Sequence, residues 1–225
     1  MSTYWPLHEI RLTVGNLTLT PMTEHDLDTL ATLQPPDLEL DPRATRYAGL
    51  DESSSRGVVL HQAYWRSMGT WSPDDWNVIF VVRRGTQPLG LQGLEGLDFR
   101  VLRTVDTSSW LVAEERGAGV GTAARRAVLV LAFDHLGAQA AVSSAWHDNH
   151  ASLGVSRRLG YHPNGEVFMA RAQHPDGVDR LLHLRMTLAD WRRSGGGSGV
   201  GVGGATTVVV EGLMAALPLF DLPAD

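Results

Sequence analysis

Three alternating glycines constrain this chain more than any other feature. Arg116-Gly117-Ala118-Gly119-Val120-Gly121-Thr122 stands between a strand-like stretch, Val105–Val112, and an apolar helical stretch, Thr122–Leu136. Without a Cβ, the backbone can approach a ligand closely and aim successive N–H groups at it. The helix that starts there adds partial positive charge at the same point. Such a loop suits a phosphate or pyrophosphate. A tight turn with no ligand is the plainer reading, although one glycine would serve for that. The next apolar run, Ala140–Trp146, reads as a buried strand. The loop therefore opens a β-α-β crossover, a connection with a fixed right hand.

The other predicted elements are arranged around that crossover as hairpins and short helices. Leu17–Pro21 alternates like a strand, and Thr23-Glu24-His25-Asp26 reads as a capped helix start running to Leu33. Residues 34–55 are polar and proline-bearing and predict an ordered loop or short helices. Gly57–Met68 has helical spacing, Trp76–Val82 and Leu89–Phe99 read as paired strands, and Asn149–Leu159 as a helix stopped by Gly160. Tyr161–Ala172 and Val178–Thr187 predict a hairpin about His174-Pro175-Asp176-Gly177, and Leu188–Arg193 closes the domain. One crossover among antiparallel hairpins predicts an α+β fold with a central mixed, mostly antiparallel sheet. Ser194–Gly204 holds seven glycines and predicts a flexible linker. The expected organisation is a domain over 1–193, a linker over 194–204 and a tail over 205–225. In the tail, Thr206–Glu211 reads as an added strand, with Leu219 and Phe220 as anchors.

Composition removes whole classes of function. The 225 residues include no cysteine, which excludes disulfides, thiolate metal sites and a cysteine nucleophile. All 19 Lys+Arg residues are arginine, which excludes a lysine Schiff base and a phosphate-loop lysine. A net charge of −6 disfavours a nucleic-acid partner. The longest apolar run, Ala127–Phe133, is too short to span a membrane. Met1-Ser-Thr-Tyr-Trp-Pro6 lacks the basic and apolar regions of a signal peptide, so the expected location is cytoplasmic. His61, His135, His162, His174 and His183 show no paired metal spacing, and no metal is expected. Gly119-Val-Gly121-Thr-Ala-Ala124 can be forced onto a dinucleotide fingerprint, but that fold needs repeated parallel units and one is present.

Arg116-x-x-Gly119-x-Gly121 resembles the R/Q-x-x-G-x-G/A pyrophosphate loop of GNAT-superfamily N-acyltransferases. Asn149-His-Ala-Ser152, followed by Leu159-Gly160-Tyr161, resembles the N-x-x-S…L-G-F/Y segment of their RimJ/RimL-like branch. Asp106-Thr-Ser-Ser-Trp110-Leu111 resembles that branch's E-x-G-Y-W strand, with Asp106 one methylene shorter than the usual glutamate. Trp5-Pro6-Leu7 and the Val-Glu-Gly…Pro-Leu-Phe tail are also similar to members of this branch.

The resemblance implies an acyl-CoA cleft where two parallel strands, Val105–Val112 and Ala140–Trp146, splay apart. Acetyl-CoA or another acyl-CoA would be the co-substrate. The pantetheine arm would pair with the main chain near Trp110, Leu111 and Val112. The N–H groups of Arg116, Gly117, Ala118, Gly119, Val120 and Gly121 would cradle the pyrophosphate, with Thr122 adding a hydroxyl. Asn149 would hold the arm from the other side, and Arg157 would reach the 3′-phosphate or simply be solvated. An amine would then attack the thioester directly. Asp106 is the expected base, acting through water, with His147 and Glu115 as rivals; Ser152 would serve the departing thiolate. The acceptor would be a protein N-terminus, a lysine or a small-molecule amine. Residues 35–55 hold five acids against two arginines, and an acidic rim there would favour a cationic acceptor. Trp65, Trp71 and Trp76 read as core or as an acceptor-pocket wall. A succinyl or longer donor, a catalytically inactive acyl-CoA sensor, a nucleotide-binding regulator and a homodimer stay open.

Overall fold

In the computed structural model of the chain, the described residues are 4–39, 44–45, 47–171, 177–196 and 207–223. In chain order they form β1 (Arg11–Val14), β2 (Leu17–Pro21), α1 (Leu27–Leu33), α2 (Glu52–Gly69), β3 (Trp76–Arg84) and β4 (Gln87–Gly96). Then come α3 (Phe99–Leu102), β5 (Thr104–Leu111), α4 (Val120–Val130), β6 (Ala140–Trp146), α5 (His150–Leu159) and β7 (His162–Ala170). The chain ends with β8 (Val178–Thr187), α6 (Leu188–Arg193), β9 (Val208–Glu211) and α7 (Leu213–Ala216). The strands make one sheet in the order β7-β8-β6-β5-β4-β3-β2-β1-β9. Among the described residues, only β5 and β6 pair in parallel; every other neighbouring pair is antiparallel. The fold is thus a mixed α/β architecture around a mostly antiparallel open sheet.

Local chemistry explains most boundaries. The Thr23 hydroxyl and the Asp26 carboxylate form a reciprocal capping box ahead of α1. Asp51 Oδ1 accepts from Ser54 N at 2.7 Å, so α2 starts at Glu52 and not at Gly57 as expected. The apolar spacing that marked this helix begins only after its polar first turn. β1 was not anticipated: Arg11-Leu-Thr-Val14 alternates, and Gly15, with φ of 59°, turns the chain into β2. The expected strand Leu89–Phe99 stops at Gly96. Asp98 takes a left-handed φ of 48° there, and Phe99–Leu102 coils into α3. α4 is shorter than its apolar run, because Leu131–His135 widens into a π turn.

Alternation along the strands creates two faces. Phe80, Val82, Leu94 and Val105 point toward α4, which is buried along almost its whole length. Val81 and Leu91 point the other way and pack with Leu27, Leu30, Leu60 and Tyr64 of α1 and α2. The tail closes the far edge. β9 pairs with β1 from Val14↔Val208 to Arg11↔Glu211. Phe220 lies 5.3 Å from Trp71 and 5.1 Å from Trp76, ring centre to ring centre, and Trp71 Nε1 donates to Leu219 O at 2.9 Å. Trp71 and Trp76 are therefore core residues, whereas Trp65 stays half exposed on α2. Of the expected linker 194–204, residues 197–204 lie outside the described residues, as do Thr206 and residues 174–176 of the expected hairpin turn.

Candidate active site

The parallel ladder between β5 and β6 lasts three residues: Thr104↔Ala140, Val105↔Ala141 and Asp106↔Val142. Beyond that point β5 follows β4 as far as Leu111, and β6 follows β8 as far as Trp146. The two strands therefore fork. Antiparallel pairing turns alternate main-chain groups toward and away from β4, which leaves those of 107, 109 and 111 facing the fork. Side chains bridge its base: Thr107 Oγ1 donates to Val142 O at 3.3 Å, and Ser143 Oγ donates to Thr107 O at 3.2 Å.

The glycine loop stands at the mouth of this fork. Gly117 and Gly119 have φ of 76° and 85°, a region that favours glycine. Gly119 is the N-cap of α4, and no side chain caps that helix. The N–H groups of Gly119 to Thr122 are thus those that a helix start leaves unpaired. Gly121 sits between the walls: a Cβ there would lie 3.6 Å from Leu111 Cδ1 and 3.7 Å from Val155 Cγ2. An uncapped helix start with open main-chain donors fits a pyrophosphate.

Several expected contacts are engaged otherwise. The Val112 N–H donates to Leu89 O, so of the expected pantetheine partners Trp110, Leu111 and Val112, only Leu111 turns its main chain to the fork. The Arg116 N–H donates to Ala113 O, so of the expected cradle donors that of Arg116 is already engaged. The Arg116 guanidinium donates to both Asp37 oxygens at 2.6 and 2.9 Å, and its Nε donates to Leu111 O at 3.2 Å. Asp37 is held below the usual carboxylate range mainly by that hydrogen bonding. Asn149 Oδ1 accepts from Ser152 N at 3.0 Å, so Asn149 caps α5 and Ser152 sits free of capping duty in its first turn. Arg157 is exposed and donates from Nε to Leu153 O. Glu115 is bound to Arg84 at 2.6 and 2.8 Å. Tyr161 is core: its hydroxyl lies 3.3 Å from Thr107 Oγ1, and burial pushes its pKa up to about 12.

The acidic rim also needs correction. Asp37 pairs with Arg116, Glu39 with Arg171, Asp51 caps α2, and Glu52 pairs with Arg56. Asp41, Arg43 and Arg46 lie outside the described residues. Two further acids lie open on the sheet. Glu95 and Asp106 are cross-strand neighbours on the α2 side, in the row Asn77–Glu95–Asp106–Val142–Arg185–His162. Asp106 lies where the ladder ends, open to solvent yet flanked by protein, and desolvation pushes its pKa up. The Thr107 N–H, Arg125 and His183 oppose that rise. Glu95 is raised by desolvation and then by the charge of Asp106.

At the far end of β6, His147 Nδ1 lies 2.9 Å from the buried carboxylate of Asp179. Arg171 reaches the same place, with Nη1 3.0 Å from Asp148 and 2.5 Å from Asp179, and its guanidinium lies over Trp146. His147, Asp148 and Asp179 converge closely enough to ligate a cation, and Arg171 already supplies one against both aspartates. Sequence reasoning missed Arg125, Glu95, Arg171 and Asp179. Only Arg125 had a visible signal, as a charge inside the apolar stretch of α4.

Comparison with known proteins gives the same architecture. The structure of a spermidine N-acetyltransferase SpeG chimera, from Vibrio cholerae and hSSAT, matches at a TM-score of 0.61 and 14% identity, over 79% of this chain and 99% of that one. Mycobacterium smegmatis RimJ in complex with CoA-disulfide matches at 0.59 and 15%, over 85% and 97%. A ribosomal alpha-N-protein acetyltransferase, RimL, matches at 0.56 and 15%, over 78% and 94%. The family model described as acetyltransferase (GNAT) domain matches residues 16–162, the span from β2 through the fork and the glycine loop to the start of β7. The chain belongs to the GNAT acetyltransferase family.

Proposed function

We propose that the protein transfers an acyl group, acetyl first, from acyl-CoA to a primary amine within a ternary complex. The observation that carries this reading is the end of the β5–β6 ladder at Asp106↔Val142, with the uncapped start of α4 at the mouth of the resulting fork. The main-chain groups of Ser109 and the Leu111 N–H would bind the extended arm of CoA, since those of Thr107 are taken by Asp106 and Ser143, and the donors of Gly117 to Thr122 its pyrophosphate. The fork opens onto the face that carries Asp106 and Glu95, whose negative charge favours an ammonium group.

The ammonium must lose a proton before its lone pair is free. Asp106, whose pKa is raised by desolvation, takes that proton through water. The amine nitrogen then bonds to the thioester carbon, the carbon–sulfur bond breaks, CoA leaves as thiolate, and the extra proton on the new amide nitrogen passes to that sulfur. The developing oxyanion is met by an N–H on the fork side of β5. Ser152 offers its hydroxyl to the departing sulfur. His147, held by Asp179 at the far end of β6, is the second candidate base.

Isothermal titration with acetyl-CoA, succinyl-CoA and CoA, followed by CoA release with spermidine, a lysine peptide and a free-N-terminus peptide, tests this reading. Micromolar acetyl-CoA binding and amine-dependent CoA release are expected. Binding with no release for any amine would leave a binding protein; no binding would overturn the reading.

A further inference from the structure

Arg125 projects from α4 into the base of the fork and is 2% exposed. Its Nη1 donates to Ser156 Oγ on α5 at 2.9 Å and to Ser143 Oγ on β6 at 3.4 Å. Its Nη2 donates to Ser109 Oγ on β5 at 3.3 Å. One guanidinium thus ties both diverging strands to the helix behind them. It makes no ion pair among the described residues; every hydrogen-bond partner is a neutral hydroxyl. Its Nε is buried without a partner, and so is Oε1 of Gln92, whose strand position faces Ser109.

A structural role alone does not account for this arrangement. A buried cation facing neutral groups carries a desolvation cost that a leucine in the same space would not. Burial accordingly lowers the pKa of Arg125, opposed by the nearby Tyr161 and Asp106. The charge persists at a point that strand pairing has abandoned and serine hydroxyls have replaced.

We propose that Arg125 is a positioning residue of the acyl-CoA cleft: it sets the spread of β5 and β6 through Ser109 and Ser143, and it holds an unneutralised positive charge at the fork, where the thiolate of CoA departs. This rests on the reading of the fork as the acyl-CoA site. The guanidinium acts at a distance, by field and by fixing the strands. Among the described residues, the other charged or titratable groups around the fork include Asp106 on β5, Glu95 on β4, His183 on β8, His147 after β6, Tyr161 after α5 and, at its mouth, Arg116, which is paired with Asp37.

The test uses the full chain, free CoA and acetyl-CoA, and the variants Arg125→Met and Arg125→Lys. The thiol of bound CoA is titrated by its ultraviolet thiolate absorbance. In the wild-type complex it should ionise about one pH unit below free CoA. Arg125→Met should abolish that shift and weaken acetyl-CoA binding about tenfold; Arg125→Lys should restore most of the shift but not the affinity, since a compact ammonium lacks the planar fork that spans both strands. If Arg125→Met does not fold, the double change Ser109→Ala with Ser143→Ala removes two anchors and keeps the charge. It should weaken acetyl-CoA binding while leaving the thiol shift in place. A folded Arg125→Met variant with the wild-type thiol titration overturns the proposal. So does unaltered acetyl-CoA affinity in the double serine variant. Wild-type protein that binds neither CoA nor acetyl-CoA overturns the reading of the fork itself, a failure separable from the other two.

Discussion

Glu95 on β4 and Asp106 on β5 stand directly opposite each other on the open face of the sheet. Desolvation holds each carboxyl above its ordinary pKa, and the charge of Asp106 raises Glu95 further, as like charges so placed repel. A raised folded pKa means that the fold resists ionisation. Stability is therefore lost as pH rises from the ordinary carboxylate pKa, about 4, through the raised folded values. Glu95→Gln should raise stability at neutral pH by ~0.5 kcal/mol, with solvent screening keeping the gain small, and the gain should vanish below pH ~4. Urea unfolding at the two pH values measures this.

Asp106→Asn keeps the shape and removes the proposed base. It should lower kcat by roughly 10²–10⁴ while acetyl-CoA affinity stays within a few-fold of wild type. Steady-state kinetics beside calorimetry separates the two effects. A rate close to wild type would shift the role to His147, and Asp179→Asn would then become the informative change.

Gly119 carries φ of 85° with open space where a Cβ would go, so its constraint is conformational. Gly119→Val should cost about 1–2 kcal/mol in backbone strain and abolish measurable CoA binding. Gly119→Asn should fold with little penalty, because asparagine tolerates left-handed backbone. Equal CoA affinity in both variants would show that the loop binds no phosphate.

Phe220 and Leu219 anchor the tail on Trp71 and Trp76. Phe220→Ala should destabilise the protein by about 3–5 kcal/mol. Ending the chain after Arg193 should lower the melting temperature as well, by uncovering β1 and both tryptophans. A truncated protein that melts at the wild-type temperature would mean that the tail contributes nothing to the fold.

Much of the architecture was legible in local pattern. The strands from Trp76 to Trp146, the crossover, the glycine loop and the Gly160 stop are each written in a few adjacent residues. What escaped depended on partners far away. β1 is four residues long and gains its strand character from β2 on one side and β9 on the other. The acidic rim looked open because Arg116 and Arg171 lie 79 and 132 positions away from the acids they bind.

By itself, the sequence determined where a glycine-rich turn, its helix and the flanking strands had to form, because φ freedom, capping and apolar spacing act over a handful of residues. It also determined what the chain cannot do, since chemistry that needs cysteine or lysine is excluded by their absence. Only the tertiary structure decided which groups meet. The fork begins at Asp106 because two strands find different neighbours there. Glu95 joins Asp106 through sheet register, and Arg125 finds Ser109, Ser143 and Ser156 through the packing of α4 on β5, β6 and α5. Register and packing are long-range properties, and the energy that selects them is spread over the whole core.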